Sequence, residues 1–439
     1  MRKRISLLVL LVFAFSCSAG AQSQKPQPVA FINVNVVPMD RERIIENQTV
    51  IIRDGRIAEI GPSTKVKIPQ DALRVEAQGK YLMPGLAEMH GHLPHPNQGE
   101  AVANSFLVLF VANGVTTVRG MFGFPNHPAL RDRIAKGEVL GPRLYAASPA
   151  LSGQSVPNAE EAEKLVRKYK QDGFDLLKVH EGLSKESFDR IAQVANELGI
   201  RLGGHIPNDV GLVRALKARQ SSIEHLDGYL EAVDLDTVDD AEIKKLAMMT
   251  KEAGVWVTPT MALWQTFMGT DTVESLRQRP ELKYMPQQMI NQWTQQRTNQ
   301  IANNQNPQTG LKIIGFRDRL LKALSDAGVG VLLGSDAPQL FSVPGFSLHR
   351  EMHAMIKAGM TPYQVIESGT RKPAVYLNAE KEFGTVEVGK RADLILVDGN
   401  PLKDVSNVSK RAGVMLGGKW MAESYIRSML DKIAATYAQ

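Results

Sequence analysis

Residues 83–92 read Met83-Pro84-Gly85-Leu86-Ala87-Glu88-Met89-His90-Gly91-His92. A short apolar run ends here in two histidines separated by one residue. On a strand, residues i and i+2 project from the same side, so His90 and His92 can grip one cation. Such a pair standing alone is a weak signal. Its meaning depends on what the rest of the chain brings to the same place.

Working outward, short apolar runs alternate with helical stretches from Leu86 onward. The candidate strands are 86–92, 115–119, 143–148, 175–180, 200–205, 222–225, 255–260 and 329–336. Strand–helix alternation argues for βα units and a parallel sheet, and eight such units close a barrel. Two of the intervening helices are well marked. Asn158 can cap the first, with Glu161 three residues on; Ala162, Leu165, Val166 and Tyr169 form its apolar face, and Gly173 ends it. Ser184 can cap the second; Phe188, Ile191, Ala192 and Ala195 share a face, and Gly199 stops it. A Gln/Asn-rich insertion, about 264–315, separates the last two strands and reads as helical and partly lid-like.

Before the barrel, 30–37, 49–52 and 56–60 read as strands, with Asp54-Gly55 as a hairpin turn. After it, β signals return at 392–397 and 413–421. The expected fold is α/β: a (β/α)8 TIM barrel with a small β-sandwich module built from both chain ends. The expected divisions are a signal peptide (1–21), the N-terminal part of the module (22–83), the barrel (84–383), and the rest of the module with a C-terminal helix (384–439).

Barrels of this kind carry their active sites at the C-terminal ends of the strands. Besides His90 and His92, those ends hold Lys178, His180, His205, His225 and Asp336. Each alone has an ordinary structural reading: a core histidine, a snorkelling lysine, a helix cap. Together, five of eight strand ends carry ligand-type residues. The chemistry they suit is metal-assisted hydrolysis. One cation, or two roughly 3.5–4 Å apart, lowers the pKa of bound water enough to give hydroxide near neutral pH. Asp336 can hold that hydroxide and accept its proton. Tyr229, just past the sixth strand, either donates to a developing oxyanion or is a half-buried loop residue. Arg119, ending the second strand, either reads a substrate carboxylate or forms a structural ion pair.

The stretch Gly85 to His92 after Met83-Pro84 resembles the opening motif of the amidohydrolase superfamily, and Gly334-Ser335-Asp336-Ala337 resembles its final-strand Asp motif. Gly389-Lys390-Arg391-Ala392-Asp393-Leu394 is similar to its late segment. Gly204-His205-Ile206-Pro207 and Ser222-Ile223-Glu224-His225-Leu226 resemble the imidazolonepropionase-related and Xaa-Pro dipeptidase (prolidase-like) branch. The resemblance implies two divalent metal ions, of which Zn²⁺ is the expected kind. His90 and His92 would hold the deeper one, and His205 and His225 the second. Asp336 would be both ligand and proton shuttle, and Lys178, N6-carboxylated, would bridge the pair. His180 is then a rival ligand or a substrate contact. The implied activity is cleavage of amide bonds in dipeptides, N-acyl amino acids or cyclic amides. A mononuclear deaminase of the same superfamily and an inactive ligand-binding barrel of the cell envelope are the alternatives.

Composition narrows the field. Of 439 residues, 43% are hydrophobic and 22% charged, which is ordinary for a globular protein. Arg2, Lys3 and Arg4 precede an apolar run, Leu7 to Phe15, and Ala19-Gly20-Ala21 offers a cleavage site, so an exported protein cut after Ala21 is expected. The sole cysteine, Cys17, would leave with the peptide; acylation of Cys17 is the weaker alternative, because Phe15 is bulky for a lipid-attachment box. Removal of those basic residues drops the formal charge from +6 to +3, and no Lys/Arg block elsewhere reads as a nucleic-acid footprint. A small-molecule amide substrate, no nucleic acid, no integral membrane span and homo-oligomerisation are the partner expectations.

Overall fold

The computed structural model describes residues 26–303 and 306–438. The signal-peptide segment and Cys17 lie outside the described residues. Seven parallel strands pair in chain order: Leu86–Gly91, Val115–Gly120, Arg143–Leu151, Leu176–Val179, Arg201–Gly204, Ser222–Glu224 and Trp256–Thr258. The eighth run, 329–336, is not a regular strand and forms one isolated bridge, Val331 to Val257. It closes the barrel nonetheless. On one side Val257 N donates to Gly330 O (2.9 Å) and Leu332 N to Val257 O (2.8 Å); on the other Met89 N donates to Leu333 O (2.8 Å) and Asp336 N to His90 O (2.7 Å).

Two features explain this irregular closure. A Cβ added to Gly334 would lie 2.5 Å from Thr258 Cγ2 and 2.8 Å from His90 N, so only glycine allows the segment between its neighbours. The Glu88 carboxylate, buried in the first strand, also accepts from Ser335 N (2.9 Å) and Ser335 Oγ (2.5 Å). A side chain thus ties the two strands together where the regular ladder fails.

The helices follow their sequence signals. Asn158 caps Ala159–Gln171 by accepting from Glu161 N (2.9 Å), and Ser184 caps Lys185–Glu197 by accepting from Ser187 N (3.1 Å). Their apolar faces, including Ala162, Val166, Phe188 and Ile191, join the core around the barrel. Burial of each large apolar side chain there contributes about 1.5–3 kcal/mol.

The chain ends form one eight-stranded sheet. Leu394–Val397 pairs antiparallel with Tyr81–Pro84, which leads directly into the first barrel strand. Asp54 and Gly55 have φ of 50° and 75° and turn the chain between Ile45–Arg53 and Arg56–Pro62; positive φ at both positions matches the right-handed twist of the hairpin. The insertion is helical: Met261–Met268, Val273–Arg277 and Gln287–Ala302 precede the long Pro307–Asp326 helix. It is anchored by its own core, in which Leu276, Leu282, Ile290 and Trp293 pack with Phe341 and Leu430 of the C-terminal helix. Among the described residues, no helix is long and apolar enough to cross a membrane.

Candidate metal centre

The fold brings the strand-end histidines together. Ring centroids of His90 and His225 lie 4.6 Å apart, those of His205 and His225 4.8 Å, and those of His180 and His205 4.5 Å. Asp336 Oδ1 stands 2.9 Å from His92 Nε2 and 3.4 Å from His90 Nε2, and Asp336 Oδ2 is 3.6 Å from His225 Nε2. His90 Nε2, His92 Nε2 and Asp336 Oδ1 are all buried without a hydrogen-bond partner. Leaving one such group unsatisfied typically costs about 1–3 kcal/mol. Three converging on one point are what a divalent cation would satisfy, and two imidazoles with a carboxylate are a suitable donor set.

The Nε2 atoms face inward because the Nδ1 atoms are held from behind. His90 Nδ1 donates to Glu224 Oε2 (2.8 Å), and His205 Nδ1 to Asp227 Oδ2 (2.7 Å). His225 Nδ1 pairs with Thr260 Oγ1 (2.9 Å). Such partners fix the tautomer and ring orientation of metal-binding histidines. The backbone also bends to serve them: His225, Thr260 and Asp336 have φ of 61°, 48° and 59°. Left-handed backbone at non-glycine residues, Thr260 above all, is strain of the kind concentrated at functional sites.

Burial, with Lys178 next in weight, holds His90 well below the ordinary imidazole range; burial and the neighbouring His90 do the same to His225. Burial and Lys178 push His205 down to about 3. All three are therefore neutral near pH 7, as ligands must be. Lys178 is itself buried, and desolvation draws its ammonium below the usual lysine range against the pull of Glu224, Asp336 and Asp227.

His180 differs from the others. Glu181 N donates to its Nδ1 (2.9 Å), so the neutral ring carries its proton on Nε2. His180 thus offers a donor at the mouth rather than a second lone pair, and burial holds it down to about 4. This geometry suits a substrate contact better than a metal ligand.

Two expected substrate residues are placed elsewhere. Tyr229 is fully buried, and its hydroxyl bonds Thr250 Oγ1 (2.6 Å). It turns into the core behind the strand, and burial raises its pKa, so it is no oxyanion donor. Arg119 is also fully buried. Its Nε donates to Met89 O (2.5 Å), Nη1 to Ser222 Oγ (2.9 Å), and Nη2 to Glu224 Oε1 (2.8 Å) and Thr258 Oγ1 (3.0 Å). Every nitrogen is engaged, so Arg119 does not read a substrate. Of its two readings, the structural ion pair is the one observed.

Sequence reasoning passed over Glu224, Asp227, Glu88 and Thr260. The first two support His90 and His205 directly; burial and then Arg317 act on Asp227, which lies at about 7. Glu88, pushed by burial to about 8, also accepts from His90 N (2.9 Å). The available signal was an acid on either side of His225, Glu224 immediately before it and Asp227 two residues after.

With this geometry in view, the comparisons are decisive at the level of family. The amidohydrolase family model matches residues 81–421. The chain belongs to the amidohydrolase family. That family is metal-dependent, and the donors converging at the mouth fit it. A dihydroorotase of Anaeromyxobacter sp. (strain K) is 37% identical over 105 residues, covering 24% of this chain and 23% of that protein, so the chain matches about a quarter of that relative's length. A 5-methylthioadenosine/S-adenosylhomocysteine deaminase of Caldanaerobacter subterraneus subsp. tengcongensis is 23% identical over 417 residues, 84% of each chain. The solved structure of a Xaa-Pro dipeptidase with bound methionine superposes with a TM-score of 0.69 at 20% identity, covering 90% of this amidohydrolase and 100% of that chain. That last likeness is one of fold.

Proposed function

We propose that this amidohydrolase is a binuclear metal amidase acting on dipeptides, N-acyl amino acids or cyclic amides. The observation that carries the reading is the convergence of three unpartnered buried atoms, His90 Nε2, His92 Nε2 and Asp336 Oδ1, at the barrel mouth. His90, His92 and Asp336 would hold the deeper cation, and His205 and His225 the second. A neutral buried amine is the form that combines with CO2, so the depressed pKa of Lys178 supports its role as a carboxylated bridge. When bound, the cations, expected to be Zn²⁺, supply charge that activates water and polarises a carbonyl. Asp336 takes the proton from the attacking water and passes it to the leaving amine. Gln339 Nε2 donates to Asp336 Oδ2, leaving Oδ1 turned toward His90 and His92. His180 donates from Nε2 to the substrate.

The test is metal analysis of purified protein, then assay on a dipeptide and N-acyl-amino-acid library. Two equivalents of metal with amide cleavage are expected, and Lys178→Ala should lose one equivalent and most activity. Absence of bound metal, or a Lys178→Ala variant with both metals and full activity, would overturn the corresponding part. The deaminase relative matching 84% of each chain supports a second reading, a mononuclear deaminase. Ammonia release without a new carboxylate product would select it. Metal-loaded protein inert on amides, esters and lactones would instead support a ligand-binding barrel.

A further inference from the structure

The loop after the second barrel strand carries Met121-Phe122-Gly123-Phe124, a segment with no part in holding the ligand cluster. Phe122 stacks beside His92 at 6.0 Å and 28°, and its ring meets His180 edge-on at 6.5 Å and 88°. It therefore bridges the most exposed ligand-type histidine of the first strand and the proposed substrate donor of the fourth. Phe124 continues the surface, 5.5 Å from Phe122, and is propped edge-on by His95 at 4.6 Å and His127 at 5.3 Å. Both phenylalanines are only half-buried, whereas the loop residues on either side of Phe122, Met121 and Gly123, are buried. Half-buried aromatic rings held in place by neighbouring rings still present surface to solvent, and a third ring can meet it in the offset or edge-on arrangement that aromatic pairs prefer.

The charges near the site favour the same occupant. A charged carboxylate on the group held at this wall would need a free cation. Arg119 has every nitrogen engaged, and the two terminal nitrogens of Arg317 donate to His225 O (2.6 Å) and Pro259 O (2.7 Å). The wall beside His92 is thus apolar and aromatic. We infer that Phe122 and Phe124 form a subsite for an aromatic side group of the substrate, and that the enzyme is selective for aryl-bearing amides. This rests on the amidase reading for the reaction but not for the binding.

The experiment separates the two. Binding of product-like acids to the metal-loaded protein is measured by calorimetry in two pairs, benzoate against acetate and phenylalanine against alanine. The pairs place the ring on either side of the scissile bond and need no turnover. In at least one pair the aromatic member should bind about tenfold tighter or more. Phe122→Leu and Phe124→Leu should each shrink that ratio, while Phe122→Trp, which restores an aromatic face, should retain it. Circular dichroism and melting of each variant confirm that it is folded. In turnover, N-benzoylglycine or N-acetylphenylalanine should exceed N-acetylglycine in kcat/KM, with the loss in the leucine variants appearing in KM. Equal binding within both pairs, or a ratio unchanged by both leucine variants, would sink the subsite. Failure to cleave any amide, with the binding preference intact, would sink the amidase reading alone.

Discussion

At the residue scale, the site is made by what stands behind the ligands. Glu224 joins His90 Nδ1 to the Arg119 guanidinium, with Ser222 Oγ as a further donor (2.6 Å). Burial opposes the Glu224 charge, and Arg119 and then Lys178 outweigh it, so the carboxylate stays ionised. Arg119→Met would strand that charge. Loss of one partner from a buried pair typically costs about 3–5 kcal/mol, to be read as a lower denaturation midpoint at unchanged slope. Because Glu224 also orients His90, the same variant should bind metal about 10–100-fold more weakly, as loss of such a support does elsewhere; competition with a chromogenic chelator measures it. Tyr229→Phe is the contrasting case. It removes the bond to Thr250, costing about 1 kcal/mol, and should leave kcat unchanged. A large fall in kcat at nearly unchanged stability would return Tyr229 to the mouth.

At the element scale, the eighth barrel segment is the weak seam. It lacks a regular ladder and relies on Gly334 and on the bonds from Ser335 to Glu88. Gly334→Ala pushes a methyl group against Thr258 and the backbone of His90. Overpacking of this kind costs roughly 1–3 kcal/mol, and here it displaces Asp336 from the histidines two strands meet around. The variant should lose metal at chelator concentrations the parent withstands, and its melting temperature should fall. Metal retention equal to the parent would show that the seam has more slack than its contacts imply. The aromatic loop after Val115–Gly120 belongs to the same rim, so the seam and the subsite flank one opening.

At the scale of the whole molecule, the sheet built from both chain ends and the helical insertion frame the barrel, and one half-buried histidine, with both ring nitrogens buried, lies away from the mouth. His349, in Phe346–Lys357, is held down to about 3 by burial, with Arg411 beside it. It is neutral in the folded state, whereas an unfolded histidine titrates near 6.5. Between those values the unfolded state binds the extra proton, so stability rises with pH. The contribution is complete above about pH 6.5 and is lost progressively as pH falls toward 3. His349→Gln should flatten the acid limb of the stability curve. Metal-free parent and variant should be compared by melting temperature from pH 7 to 4, because metal release would add its own acid dependence. Parallel curves would remove His349 from the account.

Much of this was legible in the chain itself. Strand periodicity, the caps at Asn158 and Ser184, the Asp54-Gly55 turn and the strand-end ligand types are local properties, set by a few neighbouring residues. Their order along the chain was enough to bring His90, His92, His205, His225 and Asp336 together, with Lys178 near enough to act on the His90 and His205 rings. What a long polar side chain does there was not legible, because it depends on partners distant in sequence. Arg119 meets Glu224 and Tyr376, 105 and 257 residues away, and Tyr229 meets Thr250 of the helix Asp240–Ala253, 21 residues on. The sequence alone therefore determined the barrel and the residue types at its mouth, since periodicity and spacing are short-range. Only the tertiary structure decided which groups turn toward that mouth and which turn away, since burial and hydrogen-bond satisfaction are settled when distant strands close.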